Sequence, residues 1–399
     1  MHILIIHQAF ASLGEPGGTR HYELSRYLVK RGHRVTVIAS PVSYITGGTT
    51  SPESDLLEGV TVLRSSVYRA HHKSFIHRML AFFSFMLSSF QTGLGVKDVD
   101  LVWGTSPPIF QGFTAWLLAR LKGAKFLFEV RDLWPQFAIA VGVLKSPLLI
   151  CLSERLESFL YRSADRVIVN SPGYVSHVER RGGRRVELVP NGADPSMFDP
   201  SARGTEYRLA HGLAEKFVVM YAGAHGMSND LDMVLEAARL LQDLARVQIV
   251  LVGDGKEKPA LQKQAAARGL SNVSFLPPVP KSGMSEALAA ADACLAILKP
   301  LEEYKTTYPN KVFDYMAAGR PVVLAIDGVI RDVVEAAGCG FFAQPGEPAA
   351  LAGAIRKLAA DPDASRSMGL SGRRYLEQNF SREQMAARLA ALLETMVQA

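Results

Sequence analysis

Cysteine is scarce in this 399-residue chain, long apolar runs are missing, and one stretch holds no acid at all. The three cysteines, Cys151, Cys294 and Cys339, lie too far apart for a metal cluster or a disulfide framework, which suits a reducing compartment. Met1-His2 leads straight into the apolar Ile3 to Ile6. It lacks the charged start, longer apolar stretch and small-residue cleavage site of a secretory signal, so a cytoplasmic protein is expected. The most apolar segment, 79–90, falls short of the roughly 20 residues that span a bilayer. From Gly59 to Lys97 there is no Asp or Glu, but Arg64, Arg69, Lys73, Arg78 and Lys97 with His71, His72 and His77. A basic flank beside a Phe-rich helix fits either an interfacial helix on anionic lipid or a buried helix with a solvated leader. No nucleic-acid-reading motif accompanies the charge, so nucleic acid is not an expected partner.

What is present is a rhythm. Short Val/Ile/Leu runs at 3–7, 34–39, 60–63, 99–103, 125–129, 166–170 and 186–189 read as buried parallel strands. Helical stretches at 19–31, 109–121 and 147–162 lie between them. The segment 190–200 carries three prolines and a glycine and reads as a linker. The rhythm restarts at 217–221, 247–252, 273–276, 293–298, 321–325 and 340–343, and a helix over 381–396 closes the chain. The expectation is α/β, two doubly wound domains at 1–195 and 205–375, with ligands at the carboxyl ends of the strands and in the cleft between domains. The last helix, about 376–399, is expected to pack back on the first domain.

Five loops could carry chemistry. Gly17-Gly18-Thr19 precedes a helix whose first turn holds Arg20 and His21, the wrong sign for the helix dipole, which a bound anion would relieve. This loop matches neither the G-x-G-x-x-G nor the Walker pattern. Asn310 reads as the N-cap of a short helix ended by Gly319, with Lys311 in its first turn and Asp314 one turn on. That arrangement suits either a diphosphate site or a plain Lys–Asp surface pair. Gly253-Asp254-Gly255 follows a strand and reads as a turn or a ligand loop. Gly223, His225 and Gly226 lie in a loop expected to expose His225. Finally, Glu129, Arg131, Asp132 and Trp134 stand where a buried strand ends; charges there are paired, with Arg131 matched to Asp132 or Glu129, or they are functional.

Together these motifs resemble the retaining glycosyltransferases with two Rossmann-like domains facing a cleft, the GT-B fold of GT4 type. The resemblance rests on Gly17-Gly18-Thr19, on 31–37, on 189–194 with Phe198, on 252–255 and on 311–322, and covers essentially the whole chain. The segment 131–135 is similar to a subgroup that builds bacterial surface polysaccharides, including N-acetyl-fucosaminyl-type transferases. The resemblance implies a UDP-linked sugar donor and a lipid-linked or glycan acceptor at the inner membrane face, with no cofactor and no metal. It implies that the Gly18 amide and Lys311 hold the diphosphate, and that Asp314 holds the ribose. The 223–226 loop would line the phosphate and sugar pocket, and 253–255 the base pocket. The leaving phosphate would itself take the acceptor proton. Two departures stand out. Thr306 occupies the place of a family acid, and Asn229 with Asp230 replaces an Arg…Lys pair. A UDP-sugar 2-epimerase of the same fold and a catalytically silent nucleotide-sugar-binding subunit are the alternatives.

Overall fold

The computed structural model describes residues 1–15, 17–43, 47–49, 56–69 and 75–398. They divide into two units: Met1–Leu13, Gly17–Pro190 and Glu383–Ala399 form unit 1, and Gly14–Pro16 with Asn191–Arg382 form unit 2. Both are α/β with Rossmann-like sheets.

Unit 1 is built on β1 (His2–Ile6), β2 (Arg34–Ala39), β3 (Leu56–Leu57), β4 (Val60–Arg64), β5 (Leu101–Ser106), β6 (Lys125–Val130), β7 (Arg166–Val169) and β8 (Val186–Leu188). Their order is β3-β4-β2-β1-β5-β6-β7-β8, and every pairing is parallel except β3 with β4. All of β1 is buried, as unbroken Ile/Leu runs require when helices cover both faces. The strand order reverses between β1 and β5, the position where doubly wound sheets open a crevice. Unit 2 has β9 (Phe217–Ala222), β10 (Val247–Val252), β11 (Val273–Leu276), β12 (Ala293–Ile297), β13 (Val322–Ala325) and β14 (Gly340–Phe342). Its order is β11-β10-β9-β12-β13-β14, all parallel, with the reversal between β9 and β12.

The closing helix Arg382–Gln398 belongs to unit 1 for most of its length. Ala386, Leu389, Ala390, Leu393 and Met396 complete the core around Ile3, Ile5, Val35 and Val37. At its rim Glu394 meets Arg31 at 3.1 Å and His33 at 3.0 Å. The proline-rich 190–200 segment is no loose tether. Asn191, Ala193 and Phe198 are buried, and the Ala193 amide and carbonyl bond Phe380 O and Arg382 N at 3.3 and 2.8 Å.

The helix Phe75–Leu94 is neither fully buried nor free. Ala81, Phe85 and Ser89, four residues apart, face inward, while Leu80, Phe83, Leu87 and Leu94 are 41–61% exposed. Among the described residues no helix is long and apolar enough to cross a membrane. His71, His72 and Lys73 of the basic leader lie outside the described residues.

Candidate functional site

In unit 2 the site grows from the carboxyl ends of β9 and β10. Tyr221, near the end of β9, is fully buried, and its hydroxyl donates to Ala224 O at 2.7 Å, shaping the loop that follows. Gly223 then turns with φ +155°, and its amide bonds Val252 O at 3.0 Å. The 253–255 loop packs back-to-back on this turn: His225 N donates to Asp254 O at 2.8 Å and Glu257 N to His225 O at 3.0 Å. A Cβ on Gly253, at φ +145°, would stand 1.9 Å from Gly223 O, so glycine there is dictated by loop-on-loop packing. The Asp254 carboxylate accepts from the Gly255 amide at 2.8 Å. Lys258 Nζ donates to the Gly253 and Leu276 carbonyls at 2.7 and 2.9 Å, fixing the loop from below. Gly226 O accepts from Asn229 N at 3.0 Å, closing the first turn.

Lys311 reaches this loop pair from the first turn of the helix Asn310–Ala317. Its Nζ lies 3.7 Å from the Tyr221 ring centroid and beside Gly223, where a Cβ would come within 2.8 Å of it. The nitrogen is buried and has no hydrogen-bond partner, and burial lowers its pKa to about 7. The cation–π contact offsets part of that cost. His225, expected in an exposed loop, is wholly buried because the two loops close over it. Both its ring nitrogens lack partners, and burial, then the charges of Lys258 and Lys311, holds its pKa down at about 4. Asn310 does not cap the helix as expected. The helix begins at Asn310 itself after Pro309, and the Asn310 Oδ1 is buried without a partner. Nor do Lys311 and Asp314 pair: Asp314 Oδ1 accepts from Lys281 Nζ at 2.5 Å, because Lys311 turns toward Gly223 instead. Thr306 Oγ1 donates to Glu303 O at 2.6 Å. Unit 2 therefore gathers a buried, unmatched ammonium and amide oxygen at one helix N-terminus, with the unmatched His225 imidazole on the loop near Lys311. An anion with hydroxyl donors would satisfy such a set.

Unit 1 treats its charges differently. The helix Arg20–Lys30 opens with Arg20 and His21, both buried. Their surplus charge, assigned from sequence to a bound anion, is met by Glu129 at the end of β6. Arg20 Nε reaches Glu129 Oε1 at 3.0 Å and His21 Nε2 reaches Oε2 at 2.5 Å. Arg20 also donates to Pro190 O and Val189 O, each at 2.8 Å. Burial alone would raise the Glu129 pKa, but the charges of His21 and Arg20 outweigh it and keep the carboxylate ionised. Glu129 is thus the partner of Arg20 and His21, not of Arg131.

Arg131 donates Nε to Ser106 O at 3.1 Å and forms no ion pair among the described residues. Asp132 is left with a buried, unpartnered Oδ1, and burial raises its pKa to about 6. His7, one residue past β1, is completely buried with both ring nitrogens unpartnered. Its ring lies 4.2 Å from that of His21, and burial followed by the charges of His21 and Arg131 holds it neutral. Gly18 has open space around it, whereas the Thr19 hydroxyl is committed to Glu23 at 2.5 Å. Among the described residues no group of three or more His, Cys, Asp or Glu is placed to hold a metal ion.

Sequence reasoning missed His7, Lys281 and Tyr221. His7 was counted as the last residue of a strand, although the carboxyl-end rule points to that very position. Lys281 has no local signal, being 33 residues from its partner.

Comparison with known proteins agrees with this architecture. Residues 17–192 match the family described as glycosyl transferase 4-like domain, and residues 216–361 match glycosyl transferases group 1. The "Probable glycosyltransferase WbjE" of Pseudomonas aeruginosa is 25% identical over 337 residues, covering 82% of this chain and 83% of its own. WcaI of Escherichia coli, provisionally named a colanic acid biosynthesis glycosyl transferase, is 25% identical over 76% of this chain and 78% of its own. Among solved structures, HepE from Anabaena in complex with UDP and glucose aligns with a TM-score of 0.75 at 20% identity, over 99% of this chain and 100% of its own.

Proposed function

The chain belongs to the glycosyltransferases whose 4-like and group 1 domains it carries in that order, and we propose that it is a retaining enzyme using a UDP-linked sugar. The acceptor is a lipid-linked or glycan chain in surface polysaccharide synthesis, and the sugar is of hexosyl or N-acetylhexosaminyl type, with an N-acetyl-fucosaminyl-like donor the specific expectation. The observation that carries the proposal is the buried, partnerless Lys311 ammonium beside Gly223. Departure of a nucleoside diphosphate builds charge on the β-phosphate, and a preorganised cation in a dry loop stabilises that charge more than water does. The helix Asn310–Ala317 adds its N-terminal amides to the same point, and no metal ion is invoked. Asp314, held by Lys281, receives the ribose hydroxyls. The 253–255 loop supports the base, and His225, neutral at physiological pH, donates or accepts a hydrogen bond toward the sugar phosphate.

In unit 1 the unmatched groups at the ends of β1 and β6, His7, Arg131 and Asp132, belong to the acceptor side of this reading. Retention proceeds by front-face attack, with the leaving phosphate oxygen taking the acceptor proton, so a protein base is not required. The surface of Phe75–Leu94, with Leu80, Phe83 and Leu87 outward and Arg78 alongside, supports a peripheral seat on anionic lipid at the inner face of the cell membrane.

The test is a panel of nucleotide sugars incubated with membrane extract as acceptor, read by nucleoside diphosphate release and by the anomeric configuration of the product. Release from a UDP-sugar with retained configuration supports the reading. Inverted product, or no release from any donor in the panel, rejects it.

A further inference from the structure

Unit 2 has a second concavity, at the end of its sheet opposite the Lys311 loops. The loops around Gly223 and Gly253 follow the carboxyl ends of β9 and β10, whereas Asp292 immediately precedes β12 and Arg320 lies two residues before β13, at the amino ends of parallel neighbours. Between them lies a cavity of about 480 Å³ lined by Arg203, Arg208, Arg320 and Arg366 with Asp292 and Glu215. A volume of that order holds a small organic ligand.

The four guanidinium groups are not equivalent. Arg208 is consumed by structure: Nη2 pairs with Asp292 at 2.6 Å, Nε donates to Ala290 O at 2.9 Å and Nη1 to Lys216 O at 3.1 Å. Arg320 is only 5% exposed. Its Nε donates to Leu288 O at 3.0 Å and its Nη2 to Ala289 O and Ala202 O at 3.1 and 2.5 Å, while Nη1 donates to no described residue. Arg203, on the segment after the proline-rich stretch, and Arg366, on the helix Pro362–Asn379, are exposed and make no hydrogen bond or ion pair with any described residue. Of the two acids that line the cavity, Asp292 is already paired with Arg208, which leaves Glu215 against three further arginines. Converging like charges from three separate segments costs free energy, a cost that helix capping by Arg208 and Arg320 does not explain for Arg203 and Arg366. Burial, with smaller contributions from the charges of Arg203 and Arg208, works against protonation of Arg320, and Asp292 works the other way.

We propose that this cavity is a binding site for the phosphate group of a soluble phosphorylated small molecule, separate from the donor loops. Arg320 Nη1 and the Arg203 and Arg366 forks supply the hydrogen bonds, since planar guanidinium groups match phosphate oxygens two at a time. Sites built from arginines on several segments hold their ligand by the phosphate and leave the rest of the molecule to the apolar lining, here Leu209, Ala289 and Ala291.

The experiment is calorimetric titration of inorganic pyrophosphate into the full chain with UDP in excess, alongside Lys311→Ala and the double variant Arg203→Ala/Arg366→Ala. The expected result is one pyrophosphate site in the parent and in Lys311→Ala, weakened at least tenfold (roughly) in the double variant, whose melting temperature is unchanged because both side chains are exposed. No pyrophosphate binding overturns the proposal, as does equal affinity in the double variant. Loss of the site in Lys311→Ala assigns it to the donor loops and overturns it too. Sedimentation with phosphatidylglycerol vesicles that depends on Arg203 and Arg366, without pyrophosphate binding, replaces the soluble ligand with a lipid surface.

Discussion

The Lys311 ammonium rests 3.7 Å from the centre of the Tyr221 ring, and no carboxylate among the described residues meets it. A buried lysine normally acquires an acid or loses its proton. Here the ring and the turn at Gly223 hold the cation in place while leaving its hydrogen-bond donors unused. A leaving diphosphate would use them.

Lys311→Ala is therefore expected to lower turnover by about 10²–10³-fold, the usual loss for one charge-stabilising donor. Nucleoside diphosphate release is the readout. Kinetics like those of the parent would remove Lys311 from the chemistry.

The same nitrogen sets a pH dependence. Its pKa is about 7 without ligand, and a bound diphosphate raises it by favouring the charged form. Binding then takes up a proton, so donor affinity is full below about pH 7 and falls by up to about tenfold per pH unit above it, until the bound-state pKa is passed. Calorimetry with a UDP-sugar near pH 8 (roughly), in buffers of different ionisation enthalpy, checks the sign. Identical heats in all buffers contradict proton uptake.

Glu129 holds the buried Arg20 guanidinium and accepts from the His21 imidazole, and removing its charge strands Arg20 in the core. Glu129→Gln should cost about 3–5 kcal/mol of stability, the range for a broken buried pair. Chemical denaturation measures it. A cost below about 1 kcal/mol would mean that the backbone carbonyls of Val189 and Pro190 suffice for Arg20.

Asp132 makes the opposite prediction. Its folded pKa is raised by burial from 3.8 to about 6, so the folded state favours the neutral acid. Stability falls as pH rises from about 4 to about 6, where the unfolded chain ionises first. Asp132→Asn should flatten that slope and keep or raise stability at neutral pH, while turnover drops if the group orients the acceptor. Parallel losses of stability and activity would make Asp132 a structural residue.

For the membrane face, the useful variant is Leu80→Ser/Phe83→Ser/Leu87→Ser, because these side chains point outward while Phe85 is only 1% exposed and belongs to the core. Release from anionic liposomes with an unchanged melting temperature is the expected outcome. Undiminished binding would place any lipid contact elsewhere.

Much of the fold was legible because parallel sheets buried on both faces write themselves as apolar runs. The strand ends were legible to within a few residues: the run at 99–103 became Leu101–Ser106, since Val99 packs before the ladder begins. The two-residue β3 was invisible, being too short to show a period. Candidate residues marked by a local motif, such as Lys311 and Gly253, are legible, and the structure brings the Lys311 and Gly253 loops together at Gly223. Distant partners are not legible: the Glu129–Arg20 bridge spans 109 residues and the Lys281–Asp314 bridge 33, and no one-dimensional pattern encodes either. The burial of His225 was misjudged for a related reason. It depends on a second loop folding over the first, and each loop alone reads as exposed turn chemistry.

Synthesis proceeds from the amino terminus, so domains usually mature in that order. Here the closing helix Arg382–Gln398 supplies side chains to the centre of unit 1, whose other strands were all made before residue 190. On the ribosome the second half of the chain can finish folding while the first still waits, one apolar groove open, for residues 382–398 to emerge. Loss of residues 382–398 would therefore damage the half of the protein that was translated first.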